Sequence, residues 1–234
     1  MKQTFANKVA IVTGAGRGIG AAVARQLAQA GARVAVNDLN PDRAERVAAA
    51  IRANGGQAIG VMADVSNKFQ CVHLVETTRE AWGQLDILVN GAAIHPQSTI
   101  LKLDEWEWQR VLDVNLKGVF FMSQLCGRVM RDENGARGGV IVTIGSTAGW
   151  QTPLENQAAY CAAQAGLVGF TRECAREYTA YGIRVYALLL PEGTENRKEL
   201  EENTAVTILN LCAGSETGET GSILEIKSIS ALAA

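Results

Sequence analysis

The chain has no surplus of positive charge, no paired-cysteine pattern and no long apolar run, and each shortage removes a class of function. Lys and Arg number 22 against 24 Asp and Glu, a formal net charge of −2, with the two signs interspersed along all 234 residues. Little is left over to neutralise a phosphate backbone, so nucleic acid is not an expected partner. Charge or glycine interrupts every apolar stretch before the roughly 20 residues a membrane span requires, and no membrane partner is expected either. The cysteines, Cys71, Cys126, Cys161, Cys174 and Cys212, are odd in number and lack both CxxC pairs and metal-ligand spacing. They read as reduced structural thiols, and no metal site is expected. His73 and His95 stand alone, although His95 follows a strand and has a route to a cleft. The opening MKQTFANK enters a short apolar run without a secretory h-region, so the expected location is cytoplasmic.

What is present is a regular alternation. Short β-branched runs at residues 8–13, 33–38, 58–62, 86–90, 138–144, 183–190 and 222–226 read as strands. Between them, residues 18–30, 41–53, 67–82, 104–112, 114–131, 156–181 and 197–212 carry helical period, with stop signals such as Gly31 and Asn54-Gly55-Gly56. This is the pattern of repeated βαβ units. The expected fold is a doubly wound α/β Rossmann architecture: one domain over residues 1–234, with a seven-stranded parallel sheet covered by helices on both faces. No repeat or linker breaks it.

The glycines concentrate where such a sheet binds ligands. TGAGRGIG, residues 13–20, lies between the first strand and first helix. Gly14 and Gly16 permit a tight turn, Gly18 and Gly20 permit close backbone approach, and Arg17 and Ile19 complete the opening of a helix whose free N–H groups suit a pyrophosphate. Asp38 ends the second strand, where a carboxylate accepts the hydroxyls of an adenosine ribose and repels a 2′-phosphate, favouring NAD. Arg17 argues for NADP, since a guanidinium in the turn suits that phosphate. Asp64, after the third strand, is placed either to meet the adenine edge or to cap the following helix.

These motifs continue in order: Asp64-Val65, Asn90-Gly91-Ala92, Asn115 within DVNLKGVF, Ser146 after the fifth strand, and Tyr160 ahead of Ala165-Gly166-Leu167. The chain resembles the short-chain dehydrogenase/reductase family, most densely over residues 8–190. The resemblance implies hydride transfer between a nicotinamide cofactor, NAD or NADP, and a small ketone or secondary alcohol. It implies Tyr160 as the acid/base, Ser146 as a hydrogen-bond partner of the same substrate oxygen, Asn115 as holder of a relay water, and Pro191 beside the cofactor. Asn90 would line the cofactor cleft and brace the fourth strand, with Gly91 and Ala92 also at the cofactor, and a homodimer or homotetramer is implied.

Two departures bear on chemistry. Four residues after Tyr160 the family has lysine, whereas this chain has Gln164. At that spacing Gln164 shares the Tyr160 face and is expected to point to the cleft and reach the nicotinamide ribose, without a positive charge. After Pro191 the family has glycine, and here Glu192 places a negative side chain instead. The following ENRKELEEN is short and polar for a substrate lid, and Lys227-Ser228-Ile229 stand where glycines follow the last strand. Two functions remain open on this reading: a working oxidoreductase, or a dinucleotide-binding subunit lacking efficient catalysis.

Overall fold

The computed structural model describes residues 4–193, 196–215 and 218–226. β1 (Val9–Val12) is buried on both sides. Val9 and Ile11 enter one layer of the core, Ala10 and Val12 the other, which is why the strand reads as an unbroken apolar run. α1 (Gly18–Gln29), β2 (Arg33–Asp38), α2 (Pro41–Ala53) and β3 (Gln57–Met62) follow. Asn40 caps α2 by accepting from the Arg43 amide, and Pro41 occupies the first turn, where its missing N–H costs nothing. α3 (Lys68–Trp82) is capped by Asn67, which accepts from Phe69 and Gln70, and ends on Gly83 in the left-handed region. β4 (Ile87–Asn90), α4 (Glu105–Leu112), α5 (Gly118–Asn134), β5 (Gly139–Ser146), α6 (Ala158–Tyr178), β6 (Ile183–Leu190), α7 (Arg197–Ala213) and β7 (Ile223–Glu225) complete the order.

The seven strands form one parallel sheet in the order β3-β2-β1-β4-β5-β6-β7. The direction of winding reverses between β1 and β4, and a crevice opens beyond their carboxyl ends. Leu27 of α1, Val47 of α2, and Ile208 and Leu211 of α7 pack on one face of the sheet. Leu74 of α3, Met122 and Met130 of α5, and Cys174 of α6 pack on the other. The five cysteines are free thiols, and burial pushes those of Cys71, Cys174 and Cys212 up to about 12, so they remain protonated packing groups.

The sequence-based boundaries shift in instructive places. The helices expected over 104–112 and 114–131 are joined by a π-helical turn, Asp113–Lys117, which keeps Val114 and Asn115 buried. The helix expected from residue 156 begins at Ala158, because Asn156 adopts φ +57, and its last turn, Thr179–Tyr181, tightens to 3-10 form. α5 extends to Asn134, whose buried side-chain amide donates to the Leu85 carbonyl at 2.8 Å and the Gly138 carbonyl at 2.7 Å. The polar ENRKELEEN run mostly becomes the start of α7, which turns Thr204, Ala205 and Ile208 inward. Thr194, Glu195 and Lys227-Ser228-Ile229 lie outside the described residues.

Candidate active site

Thr13 fastens the exit of β1 to the exit of β4. Its amide donates to the Val89 carbonyl at 2.9 Å, and its hydroxyl oxygen accepts from the amides of Gly91 and Ala92 at 3.1 and 3.3 Å. Gly14 sits between them at φ +64, and a Cβ there would lie 2.7 Å from Ala92 Cα. A Cβ on Gly20 would meet the Gly14 carbonyl oxygen at 2.5 Å. Gly18 differs: at φ +56, the nearest atom to its Cβ position is Glu201 Oε1, 3.7 Å away. The chain therefore fills the inner side of the turn and leaves its outer side open. Arg17, with extended backbone, precedes α1 without a capping side chain, and the first turn contains no acid, so its N–H groups remain available to an anion. Ile19 packs its side chain against the core below.

Asp38 reaches the same turn from β2. Its Oδ2 accepts from the Gly16 amide at 3.1 Å and its Oδ1 from the Asn40 amide at 2.9 Å. A Cβ on Gly16 would lie 2.5 Å from that carboxylate and 2.6 Å from Arg43 Cβ, which accounts for the glycine. Asp64 is more heavily engaged than its sequence position suggested. Its Oδ1 accepts from the Ser66 amide and hydroxyl at 2.9 and 2.7 Å, and its Oδ2 from Arg110 at 3.0 Å. Burial acts to raise the Asp64 carboxyl, but the hydrogen bonds from Ser66 and Arg110 outweigh it and hold it below its ordinary value. Asn67, and not Asp64, caps α3. Val65 is buried under α5, close enough that a Cβ on Gly118 would lie 2.9 Å from it.

Several polar side chains of the candidate site are buried and hydrogen-bonded within the chain. Asn90 is buried and donates to the hydroxyls of Ser123 at 3.3 Å and Thr143 at 3.4 Å, bracing β4 against α5 and β5. Asn115 bonds Ile94 in both directions, accepting from its N–H at 2.8 Å and donating to its carbonyl at 2.7 Å. It shapes the segment leaving β4 and keeps one N–H and one lone pair beyond these two bonds. Gln164 is 1% exposed, and its Oε1 accepts from the Ser146 amide at 2.9 Å. The bond ties the Tyr160 helix to the carboxyl end of β5, beside the Ser146 hydroxyl.

Ser146 and Tyr160 are brought together. The Ser146 hydroxyl donates to Oε1 of Glu192 and accepts from the Ala148 amide at 2.8 Å. The Tyr160 phenol is pushed up to about 12, first by burial and then by the charge of Glu192, with a hydrogen bond from Ser146 opposing them. His95 lies edge-on to the Tyr160 ring with centroids 5.8 Å apart. Glu192, in the turn after Pro191, accepts the bond from the Ser146 hydroxyl and so places its negative charge at Ser146. Lys117 pairs with Asp113 at 2.6 Å. Sequence reasoning did not single out Thr13 as a clamp, Arg110 as the partner of Asp64, or Glu201 beside the glycine turn. Only Thr13 carried a signal, its place at the head of the glycine string.

A family model described as short chain dehydrogenase matches residues 8–205. A 3-oxoacyl-[acyl-carrier-protein] reductase of Synechocystis sp. is 40% identical over 182 residues, covering 77% of this chain and 72% of the relative. A cis-4-hydroxycyclohexanecarboxylate dehydrogenase of Sinomonas cyclohexanicum is 40% identical over 190 residues, covering 80% and 74%. The crystal structure of a short chain dehydrogenase from Mycobacterium smegmatis superposes with a TM-score of 0.89 at 31% identity, over 97% of this chain and 94% of that one.

Proposed function

This chain belongs to the short-chain dehydrogenase family of oxidoreductases, and from that premise we propose that its site exchanges hydride between NAD and a small ketone or secondary alcohol. The observation that carries the proposal is the turn at residues 14–20. Its inner glycines are packed against the chain itself, and its outer side opens at Gly18 onto the uncapped start of α1. That donor set fits a pyrophosphate. Gly14, Gly16, Arg17, Gly18, Ile19 and Gly20 would hold the diphosphate, Asp38 the adenosine ribose, Asp64 and Val65 the adenine side, and Gly91, Ala92 and Pro191 the remaining walls. The bound nicotinamide supplies the hydride acceptor or donor. Tyr160 exchanges the proton of the substrate oxygen, and its high pKa keeps it a neutral donor at ordinary pH, which favours carbonyl reduction over alcohol oxidation.

Asp38 is the basis for choosing NAD over NADP: its carboxylate is fixed on Gly16, where a 2′-phosphate would meet its charge. Arg17 and Arg43 are the residues that favour NADP, and neither is paired in a salt bridge among the described residues. The reading of a dinucleotide-binding subunit without efficient chemistry is not favoured, since the relatives are named as a reductase and a dehydrogenase. We further propose one domain over residues 1–234, a cytoplasmic location in keeping with five free thiols, and a homodimer or homotetramer built on the α5–α6 face, where Phe120 is 40% exposed and stacks edge-on against Phe170. No helix among the described residues is long and apolar enough to cross a membrane.

The test is fluorescence titration with NADH and NADPH, followed by absorbance assays with a panel of small ketones. Tighter binding of NADH, and loss of that preference in Asp38→Ala, is the expected result. Failure to bind either dinucleotide would defeat the proposal.

A further inference from the structure

Tyr160 lies in the first turn of α6, and the segment leaving β4 runs beside it, pinned at both ends. Ile94 is held by Asn115 at 2.8 and 2.7 Å. Ser98 donates its amide to the Asn156 carbonyl at 2.7 Å and pairs with Gln157 in a parallel bridge. Asn156 and Gln157 lead directly into α6, so the far end of the segment is fastened to the start of the helix that carries Tyr160. Between the pins stand His95, Pro96 and Gln97, and the proline ring restricts the residue before it to extended backbone. Three constraints therefore fix where His95 stands. Its imidazole meets the Tyr160 ring with centroids 5.8 Å apart and planes at 64°, the edge-on arrangement that aromatic quadrupoles favour. Among the described residues no hydrogen bond or ion pair engages this imidazole, and the tyrosine ring is its one recorded partner. The phenol is anchored at its oxygen by Ser146, while Gln164, one turn further on, gives its oxygen to the Ser146 amide. A phenol held at its oxygen alone still pivots about its side-chain bonds, and a second contact on the ring removes that freedom.

We infer that His95 is a positioning residue for the reaction: its ring, set by the pinned segment, holds the Tyr160 ring at the angle from which the phenol and the Ser146 hydroxyl meet one substrate oxygen together. The inference rests on the oxidoreductase reading above and adds the residue that orients its proton donor. His95 acts through the shape of its ring and exchanges no proton itself. Another flat aromatic side chain at this position would therefore serve, and a small one would not. Orientation of this kind enters the rate of the chemical step and leaves substrate affinity largely alone.

The experiment compares wild type with His95→Ala and His95→Phe at one neutral pH, using NADH with cyclohexanone and ethyl acetoacetate as probe ketones. In His95→Ala, kcat should fall about 2–12-fold, the value of one edge-on aromatic pair expressed as a rate, with KM changed by less than about twofold. His95→Phe should recover most of the lost kcat. A second readout needs no turnover. In protein carrying ring-labelled tyrosine, the Tyr160 signal, assigned by its loss in Tyr160→Phe, should move in His95→Ala and stay displaced by the neighbouring ring in His95→Phe. His95 is exposed, so both variants should fold, and their melting temperatures check this. A Tyr160 signal indifferent to His95→Ala, an unchanged kcat, a raised KM at unchanged kcat, or a phenylalanine variant no better than the alanine one would each overturn the inference and leave the oxidoreductase reading standing. Wild-type protein that binds NADH and reduces neither these nor other small ketones would remove the oxidoreductase reading, and the positioning role with it, even where the ring signals still record the contact.

Discussion

Replacing Gln164 by methionine keeps the length and approximate volume of the side chain and removes its amide, oxygen acceptor and N–H donors together. In the native protein that acceptor takes the Ser146 amide at 2.9 Å, with Gln164 1% exposed and Ser146 2% exposed, so water has little access to either group. Leaving a buried N–H unsatisfied costs about 1–3 kcal/mol. For a chain of this size each kcal/mol lowers the melting temperature by about 2–4 °C, so Gln164→Met should melt about 2–12 °C below wild type. Urea unfolding gives the free energy directly. NADH fluorescence should change little, since the lost bond anchors the end of β5 and not the glycine turn. Gln164→Lys loses the same acceptor and adds an ammonium at a buried position, so it should be at least as unstable. A methionine variant within about 0.5 kcal/mol of wild type would refute the reasoning, because it would show that the Ser146 amide does not depend on this side chain.

Gly14→Ala places a Cβ 2.7 Å from Ala92 Cα at φ +64, and the combination of backbone strain and overpacking should cost about 2–5 kcal/mol by urea unfolding. Thr13→Val keeps the shape and removes the acceptor for the Gly91 and Ala92 amides; it should lose about 1–3 kcal/mol and weaken NADH binding in a fluorescence titration. Tyr160, ordinarily ionising at 10.0, is held up to about 12 by burial and then by Glu192. The folded protein therefore holds this proton more tightly than the unfolded chain. The stability this contributes is present below about pH 10 and disappears as pH rises through about 12, and the difference in tyrosinate absorbance between wild type and Tyr160→Phe follows it. Ionisation of Tyr160 at or below pH 10 would contradict the burial seen here.

Most of the architecture was legible because it rests on local rules. Two-sided apolar runs such as KVAIVT mark strands buried on both faces, and Gly31 and Asn54-Gly55-Gly56 mark helix ends by chemistry that needs no tertiary information. The departures occur where a non-local contact decides. Nothing at residue 113 announces a π-helical turn, and its effect, placing Asn115 against the Ile94 backbone, depends on where β4 delivers the chain. The Asp64–Arg110 contact joins residues 46 apart in sequence and carries no motif.

The glycine turn stood out in the sequence for a related reason. A φ of +64 at Gly14 and a 2.5 Å approach at Gly20 admit one residue type, so geometry leaves a mark on composition. A hydrogen bond leaves no such mark, because the same donor has several possible acceptors. Gln164 and Glu192 illustrate the difference. Their presence could be read, and so could the net change they make, one positive charge absent and one negative charge gained. Their destinations could not be read, because each depended on a group made available elsewhere in the fold. The end of β5 offered Gln164 an unpaired amide, and the hydroxyl of Ser146 offered Glu192 a proton. Both substitutions thus converge on the same serine from opposite sides, one through its amide and one through its hydroxyl. Ser146 is therefore held at both its backbone and its side chain by two residues whose contacts the fold, and not the local sequence, decides.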